Sequence, residues 1–157
     1  MKANAEHGGE TLAKRAWRLL AESCDERLAV GKHADGLPLP FPVLDDGTDV
    51  RAPIAGVVAG LRAAPTEVAI VIPVDMPLLT VAALHELADA CRDVAVAQRG
   101  PLPGAYRRRT TLPALENALA EGRLALRDAV GGLDVAQIEL PEEVLVNVNT
   151  PTDVRRL

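Results

Sequence analysis

Asp75 is the residue whose type and position point most clearly to chemistry. It follows an apolar run and stands within Pro73-Val74-Asp75-Met76-Pro77. A carboxylate at the end of a buried strand can share a hard cation with a ligand, because Mg²⁺ takes one or two carboxylates together with substrate phosphates and waters. Aspartate is also a favoured N-cap. A capping role for the helix expected from about Leu79 is therefore an equal alternative.

Asn147 and Asn149 form a second polar pair, alternating with Val146 and Val148 near the end of the chain. On a strand, the two amides would lie on one face and the valines on the other. Paired amides suit a polar ligand or a metal-bound water. The residues alone favour a simpler interpretation, in which they make a turn and Thr150 caps a final helix.

The remaining polar segments give weaker signals. A helix N-terminus at Ala52-Pro53-Ile54-Ala55-Gly56, close to the acidic turn Asp45-Asp46-Gly47, could receive a ligand oxygen, although a plain turn into a helix is favoured. Arg107-Arg108-Arg109 is expected to be a solvated strand end. The three histidines are scattered, and no serine or cysteine stands in a nucleophile motif.

Composition limits the function classes. The 157 residues suit one domain, and 48% hydrophobic residues are ordinary for a globular protein. Aromatic residues are only 2% and the net charge is −5, which argues against a nucleic-acid partner. Cys24 and Cys91 are expected to be reduced thiols. With no signal sequence and no apolar run of membrane-spanning length, we expect a soluble, cytoplasmic protein without a membrane partner.

The apolar patterns predict alternating helices and strands. Helices are expected over 11–22, 54–61, 79–91, 112–120 and 124–130, with a short one from Pro151. Strands are expected over 28–30, 68–72, 94–97, 104–107, 135–140 and 144–148. The Val68–Ile72 run is apolar throughout rather than alternating, as in a strand covered on both faces. This order predicts a three-layer α/β fold with a mostly parallel sheet, whose ligands bind beyond the carboxyl ends of the strands.

Together the motifs resemble the molybdenum cofactor guanylyltransferase family, a group of MobA-like nucleotidyltransferases. The resemblance covers nearly the whole chain as a single domain, 1–157, and Pro-x-Asp-x-Pro with Asn-x-Asn-Thr-Pro carries it most specifically. The other matching segments, in chain order, are Gly9-Glu10-Thr11-Leu12, Arg18-Leu19-Leu20, Cys24-Asp25-Glu26, Pro53-Ile54-Ala55-Gly56 and Pro103-Gly104-Ala105-Tyr106-Arg107.

The family resemblance implies a Rossmann-like enzyme that moves GMP from Mg-GTP onto molybdenum-bound molybdopterin. Asp75 would hold Mg²⁺ and act in catalysis. Gly31 and Asp45, with Asp46 as the alternative to Asp45, would contact guanine or ribose. Asn147, Asn149 and Arg123, with Arg127 nearby, would lie on the pterin side. GTP and molybdopterin would be the small-molecule partners, with a molybdoenzyme or its chaperone as the candidate protein partner.

One departure from the family concerns the N-terminal region. Family members open with an apolar strand and a loop of the form Leu-Ala-Gly-Gly-x-Ser-x-Arg-Met-Gly-x-Asp-Lys, and here only Lys2 matches, at the loop's last position, as a nucleotide-binding and catalytic candidate. The resemblance thus implies an N-terminally truncated or degenerate relative that lacks the first, central strand, and we expect it to bind GTP weakly and to transfer GMP poorly or not at all. The strands at 28–30 and 68–72 should then pair directly or leave a cleft. A CTP- or sugar-phosphate-type transferase and a catalytically inactive binding relative are the alternatives.

Overall fold

The computed structural model describes residues 2–157, with side chains from residue 3 onward. The helices in this range are α1 (Leu12–Ser23), α2 (Pro53–Ala63), α3 (Val81–Ala90), α4 (Arg108–Ala120), α5 (Leu126–Ala129) and α6 (Pro151–Val154). The strands are β1 (Glu6–His7), β2 (Glu10–Thr11), β3 (Val30–Gly31), β4 (Leu44–Asp45), β5 (Val68–Val71), β6 (Val94–Ala97), β7 (Gly100–Arg107) and β8 (Val135–Ile138). None of the described helices is long and apolar enough to cross a membrane.

The main sheet has four strands in the order β5-β7-β6-β8. β6 and β8 are parallel, with Val94 opposite Val135, whereas β7 is antiparallel to both β5 and β6. The sheet is therefore mixed, and the expectation of a mostly parallel sheet is wrong for the strand pairings in it. The reason is local: β6 and β7 are joined by a tight turn at residues 98–99, and a connection that short can only join antiparallel strands.

Local sequence signals account for where most helices begin. The side chains of Thr11 and Thr80 accept hydrogen bonds from the amides of Lys14 and Ala83, so they cap α1 and α3. α2 begins with a proline, whose missing N–H costs nothing in the first turn. The boundaries of these helices lie within two residues of those predicted from the sequence. α4 begins four residues earlier, at Arg108.

Two large apolar clusters lie on opposite faces of the main sheet, and a third, smaller cluster joins Leu12, Val148 and Val154. Of the two large clusters, one lies between the sheet and α2, α4 and α5, and the other between the sheet and α3. Successive residues of β5 pack on different clusters: Ala69 and Val71 on the first, Val68 and Ile70 on the second. The prediction that both faces of this strand are covered is confirmed. All four of its residues nevertheless remain half-buried, because β5 is at the edge of the sheet.

The predicted strand at 144–148 is wrong. A 3₁₀ helix covers Glu142–Leu145, and Val146 to Asn149 form no strand. The apolar residues that suggested a strand are explained by burial: Val144, Leu145 and Val148 are at most 8% exposed and pack into the core clusters. The amide of Val148 donates to the carbonyl of Asp75 at 2.8 Å, rather than to a neighbouring strand.

β3 and β5 do not pair. β3 pairs in parallel with β4 in a separate two-stranded sheet, and a cleft of about 510 Å³ lies between β3 and β5. The hairpin of β1 and β2 lies elsewhere, with contacts to α1 and α6. The predicted gap between the two strands is therefore confirmed, in the form of a cleft.

Candidate functional site

A cavity of about 560 Å³ lies where the carboxyl ends of β5, β6 and β8 lead into loops. Ligands in α/β folds bind in this region. The residues around it come from five separate parts of the chain, including the start of α2, the turn after β5, the β6–β7 turn and the start of α5. The lining includes Met76, Arg99, Arg127 and Asn147.

The turn after β5 places Asp75 next to the Asn-x-Asn segment. The backbone carbonyl of Asp75 accepts the Val148 amide at 2.8 Å, which fixes the backbone of Asp75 against the residue between Asn147 and Asn149. Met76, the next residue, is buried and lines the cavity. The two motifs, which are more than 70 residues apart in sequence, therefore meet at one edge of the fold.

Asn147 and Asn149 have different surroundings, although both are exposed. Asn147 lines the cavity. The amide of Asn149 donates to the Asp153 carboxylate at 3.1 Å, within the cap of α6. Val148 between them is buried, and its two neighbours, Asn147 and Asn149, are exposed at the surface.

Of the two arginines predicted for the pterin side, Arg123 and Arg127, it is Arg127 that reaches the cavity. A Cβ added to Gly100 would lie 3.7 Å from a guanidinium nitrogen of Arg127, so this side chain lies against the β6–β7 turn. The guanidinium of Arg123 instead binds the Glu121 carboxylate at 2.7 Å, and Arg123 is not among the residues lining the cavity.

Arg99 also lines the cavity, and sequence analysis did not single it out. It is ion-paired with Glu142. The neighbouring Gln98 holds this turn in place, because its side-chain amide donates to the Leu140 carbonyl at 2.7 Å and accepts from the Leu140 amide at 3.0 Å. The positions of Arg99, Arg127 and the β6–β7 turn at the cavity depend on long-range contacts. The sequence gives the types of these residues but not their positions in the fold.

Gly31 and Asp45 lie opposite each other in the separate pair of β3 and β4, outside the lining of this cavity. The Asp45 carboxylate accepts the amides of His33 and Gly47, each at 2.7 Å. These two backbone hydrogen bonds lower the pKa of Asp45. Both oxygens of Asp46 bind the Lys32 ammonium at 2.9 Å. Both candidate carboxylates thus have roles in ordering this loop.

The donor set near Asp75 suits a cation that arrives with its substrate. No group of three or more His, Cys, Asp or Glu side chains in the described part of the chain could hold a metal by itself. The half-buried carboxyl of Asp75 stands in a turn whose backbone is hydrogen-bonded to the segment carrying the two exposed asparagines. One carboxylate of this kind fits Mg²⁺, which binds through one or two carboxylates and substrate phosphates. The remaining candidate, Lys2, has a side chain outside the described ones.

Comparison with known proteins places the chain among nucleotidyltransferases. The sequence is 32% identical to a probable molybdenum cofactor guanylyltransferase from Chloroflexus aggregans, over 94% of this chain and 79% of that protein. It is 34% identical to the molybdenum cofactor guanylyltransferase of Burkholderia vietnamiensis, over 86% of this chain and 75% of that one.

Solved structures support the same fold. Molybdopterin-guanine dinucleotide biosynthesis protein A from Archaeoglobus fulgidus superposes with a TM-score of 0.79 at 22% identity, covering 99% of this chain and 87% of that one. The 2-C-methyl-D-erythritol 4-phosphate cytidylyltransferase of Thermus thermophilus also gives 0.79, at 19% identity, covering 99% of this chain and 90% of that one. The sequence model of one protein family, the MobA-like NTP transferase domain, matches residues 1–137 of this chain. By this match and by the identity to its curated relatives, the chain belongs to the MobA-like NTP transferase family.

Proposed function

We propose that this protein transfers GMP from Mg-GTP to the terminal phosphate of molybdenum-bound molybdopterin, forming the guanine dinucleotide cofactor. The names of the relatives that match most of the chain support this choice of reaction. The structural observation that carries it is the hydrogen bond between Val148 and Asp75, because it joins the two motifs on which the resemblance rests.

The proposed reaction is an in-line displacement at phosphorus. An oxygen of the acceptor phosphate forms a bond to the α-phosphorus of GTP, and the bond from that phosphorus to the bridging oxygen breaks. Pyrophosphate leaves with the bonding electrons. Reactions of this kind depend mainly on positioning and on electrostatic stabilisation of the phosphates, and Mg²⁺ would neutralise phosphate charge during the attack.

In this scheme the chain's residues bind and orient the two substrates. Asp75 holds the cation shared with the triphosphate. Asn147 orients the acceptor at the cavity, with Asn149 beside it, and Arg127 and Arg99 offset the charge of the phosphates there. Arg123 adds positive charge on the pterin side from a position outside the lining of the cavity. Gly31 and Asp45 remain the proposed contacts to the base or ribose.

Cytidylyl transfer is the second candidate, because the cytidylyltransferase from Thermus thermophilus superposes as well as the protein from Archaeoglobus fulgidus. The two remaining candidate functions are nucleotidyl transfer to a sugar phosphate and nucleotide binding without turnover. All these candidates share the fold and differ in base, acceptor or turnover.

Titration calorimetry with Mg-GTP and Mg-CTP tests the proposal, followed by a pyrophosphate-release assay with molybdenum-bound molybdopterin. We expect GTP to bind at least tenfold more tightly than CTP, and pyrophosphate to be released only when the acceptor is present. Omitting Mg²⁺ should abolish both signals. A preference for CTP would favour cytidylyl transfer, and GTP binding without pyrophosphate release would identify a binding protein.

A further inference from the structure

The turn between β5 and α3, which carries Asp75, has few backbone donors of its own. Its residues belong to no helix or strand, and Pro73 and Pro77 have no backbone N–H to donate. Within the turn, the Leu79 amide reaches the Met76 carbonyl at 3.4 Å, which is long for a hydrogen bond of this kind. The turn therefore relies on contacts from other parts of the chain to hold the Asp75 backbone in place.

Apolar packing holds one side of this turn. Met76 and Leu79 are 9% and 6% exposed, and both belong to the apolar cluster between the main sheet and α3. Burial of apolar side chains is not directional. The packing therefore keeps the turn against the core but does not set the direction in which its carbonyl groups, or the Asp75 carboxyl, point.

Arg15 of α1 supplies a directional contact from the other end of the fold. Its Nε donates to the Pro77 carbonyl at 2.5 Å, across 62 positions of the sequence. The side chain is half-buried, and it lines a small cavity of about 160 Å³ together with Val74 and Met76, the two neighbours of Asp75. A charged donor makes a stronger hydrogen bond than a neutral one.

The next arginine of α1 is used differently. Arg18, three residues later, is exposed and binds the carboxylates of Glu10 and Glu22 at 3.0 and 3.2 Å. Exposed ion pairs of this kind contribute little to stability. The two arginines thus have different functions, because Arg18 pairs on the surface of its own helix while Arg15 bonds to a separate element.

The turn is held by two hydrogen bonds from opposite ends of the chain. The Val148 amide donates to the Asp75 carbonyl at 2.8 Å, and the Arg15 guanidinium donates to the carbonyl of Pro77, two residues further on. Two fixed carbonyls this close together restrict the backbone between them. They also restrict the direction in which the Asp75 side chain leaves that backbone.

We propose that Arg15 is a positioning residue, which orients the Asp75 carboxyl toward the cation by holding the Pro77 carbonyl. This inference rests on the proposed function, in which Asp75 holds Mg²⁺ shared with GTP. A binding site is only as well ordered as the contacts that support its ligands. Without the guanidinium, the turn would keep its apolar packing and the Val148 bond but would adopt more than one orientation, and the cation would be bound less tightly.

Hydrogen exchange tests the structural part of this proposal without any substrate. Arg15→Met keeps an apolar stem of similar length but removes the donor. Exchange of the Val148 amide should become about tenfold faster or more, while the Asn149 amide, which bonds to Asp153, should be unchanged. Arg15→Lys keeps a charged donor without the planar guanidinium and should give an intermediate rate. Arg18→Met is the matched control and should leave both amides unchanged.

The dependence of pyrophosphate release on Mg²⁺ tests the functional part. In Arg15→Met, the Mg²⁺ concentration that gives the half-maximal rate should rise at least fivefold, while the KM for GTP at saturating Mg²⁺ changes less than twofold. Arg15→Lys should restore much of the Mg²⁺ response, and Arg18→Met should match the unaltered protein. A purely structural loss would lower the amount of active enzyme without shifting the Mg²⁺ dependence.

Two results would overturn the proposal, and a third separates it from the proposed function. Unchanged exchange at Val148 in Arg15→Met would show that the turn does not depend on Arg15. Faster exchange with an unshifted Mg²⁺ dependence would show that the turn moves without affecting the cation. If the unaltered protein releases no pyrophosphate, the proposed function fails, and faster exchange at Val148 would still identify Arg15 as the residue that holds the turn.

Discussion

At the scale of single residues, the structure separates the two roles that the sequence leaves open for Asp75. α3 is capped by Thr80, whose hydroxyl accepts the Ala83 amide at 3.2 Å. Asp75 lies five residues earlier, in the turn that bonds to Val148. The capping role is therefore filled by another residue. The Asp75 carboxyl stays a candidate for the cation.

Asp75→Asn should remove Mg-dependent GTP binding while the protein still unfolds cooperatively. The substitution keeps the size of the side chain but removes the charge that would attract a cation. Calorimetry with Mg-GTP measures the loss, and thermal denaturation checks the fold. Asp49→Asn, which makes the same charge change at an exposed position, is the control. Unaltered GTP affinity in Asp75→Asn would refute the assignment.

At the scale of an element, α6 fixes the backbone of Asn149. The Thr150 hydroxyl accepts the Asp153 amide at 3.1 Å, and the Asp153 carboxylate accepts the amides of Thr150 and Asn149 at 2.8 and 3.1 Å. This reciprocal arrangement is a capping box. The sequence interpretation in which Thr150 caps a final helix is thus confirmed, and the cap itself orders one of the two asparagines.

The cap should loosen in acid. Hydrogen bonds from Thr150 and Asn149 lower the pKa of Asp153, so the ionised form is favoured in the folded state. Its stabilising effect is therefore complete above the ordinary aspartate pKa of about 3.9, and is lost as the pH falls through the lower folded value. Hydrogen exchange of the Asn149 and Thr150 amides between pH 5 and pH 3 should follow this loss.

The variant Asp153→Asn is the control for that titration. It retains a side-chain oxygen that can accept the two amides but removes the ionisable group. We expect its protection at Asn149 and Thr150 to be weaker at pH 5 and to change little toward pH 3. An acid response equal to that of the unaltered protein would mean that another group loosens α6.

At the scale of the whole molecule, the two core clusters meet across β6 and β7. Tyr106 of β7 is buried in one cluster, and Ala105 beside it in the other. The Tyr106 hydroxyl donates to the Pro101 carbonyl at 2.5 Å, and burial raises the pKa of this side chain. Gly104, the residue before Ala105, is packed against these same groups.

Gly104→Ala should therefore destabilise the whole protein. The added Cβ would lie 2.6 Å from the Pro101 carbonyl oxygen and 2.8 Å from a carbon of the Tyr106 ring. Overpacking of this kind costs about 1–3 kcal/mol, which lowers Tm by about 2–4 °C per kcal/mol in a protein of this size. Calorimetric melting measures the shift. Gly132→Ala, at an open position, should lower Tm much less.

The candidate site shows where sequence reasoning succeeds and where it stops. Asp75 and Asn147 are singled out as polar residues after apolar runs and then by the family resemblance, and Arg127 by the resemblance alone. The structure places Asn147 and Arg127 at the cavity and joins Asp75 to Val148. Arg99 could not be identified, since its place at the cavity depends on Gln98 bonding to Leu140, a residue 42 positions away. The valines around Asn147 suggested a strand, because periodicity records burial and does not distinguish burial in a sheet from burial beneath a helix.

The sequence by itself determined the family, the alternation of helices and strands, and the cap at Thr150, because these depend on motifs and on interactions between near neighbours. Only the tertiary structure decided the strand order β5-β7-β6-β8, the separation of β3 from β5, and the contact between Asp75 and Val148. These features depend on hydrogen bonds between backbone groups. Every residue type except proline carries the same backbone groups, so the side chains do not specify which strand or turn a given strand bonds to. The partners are selected when the two apolar faces of the sheet are buried together.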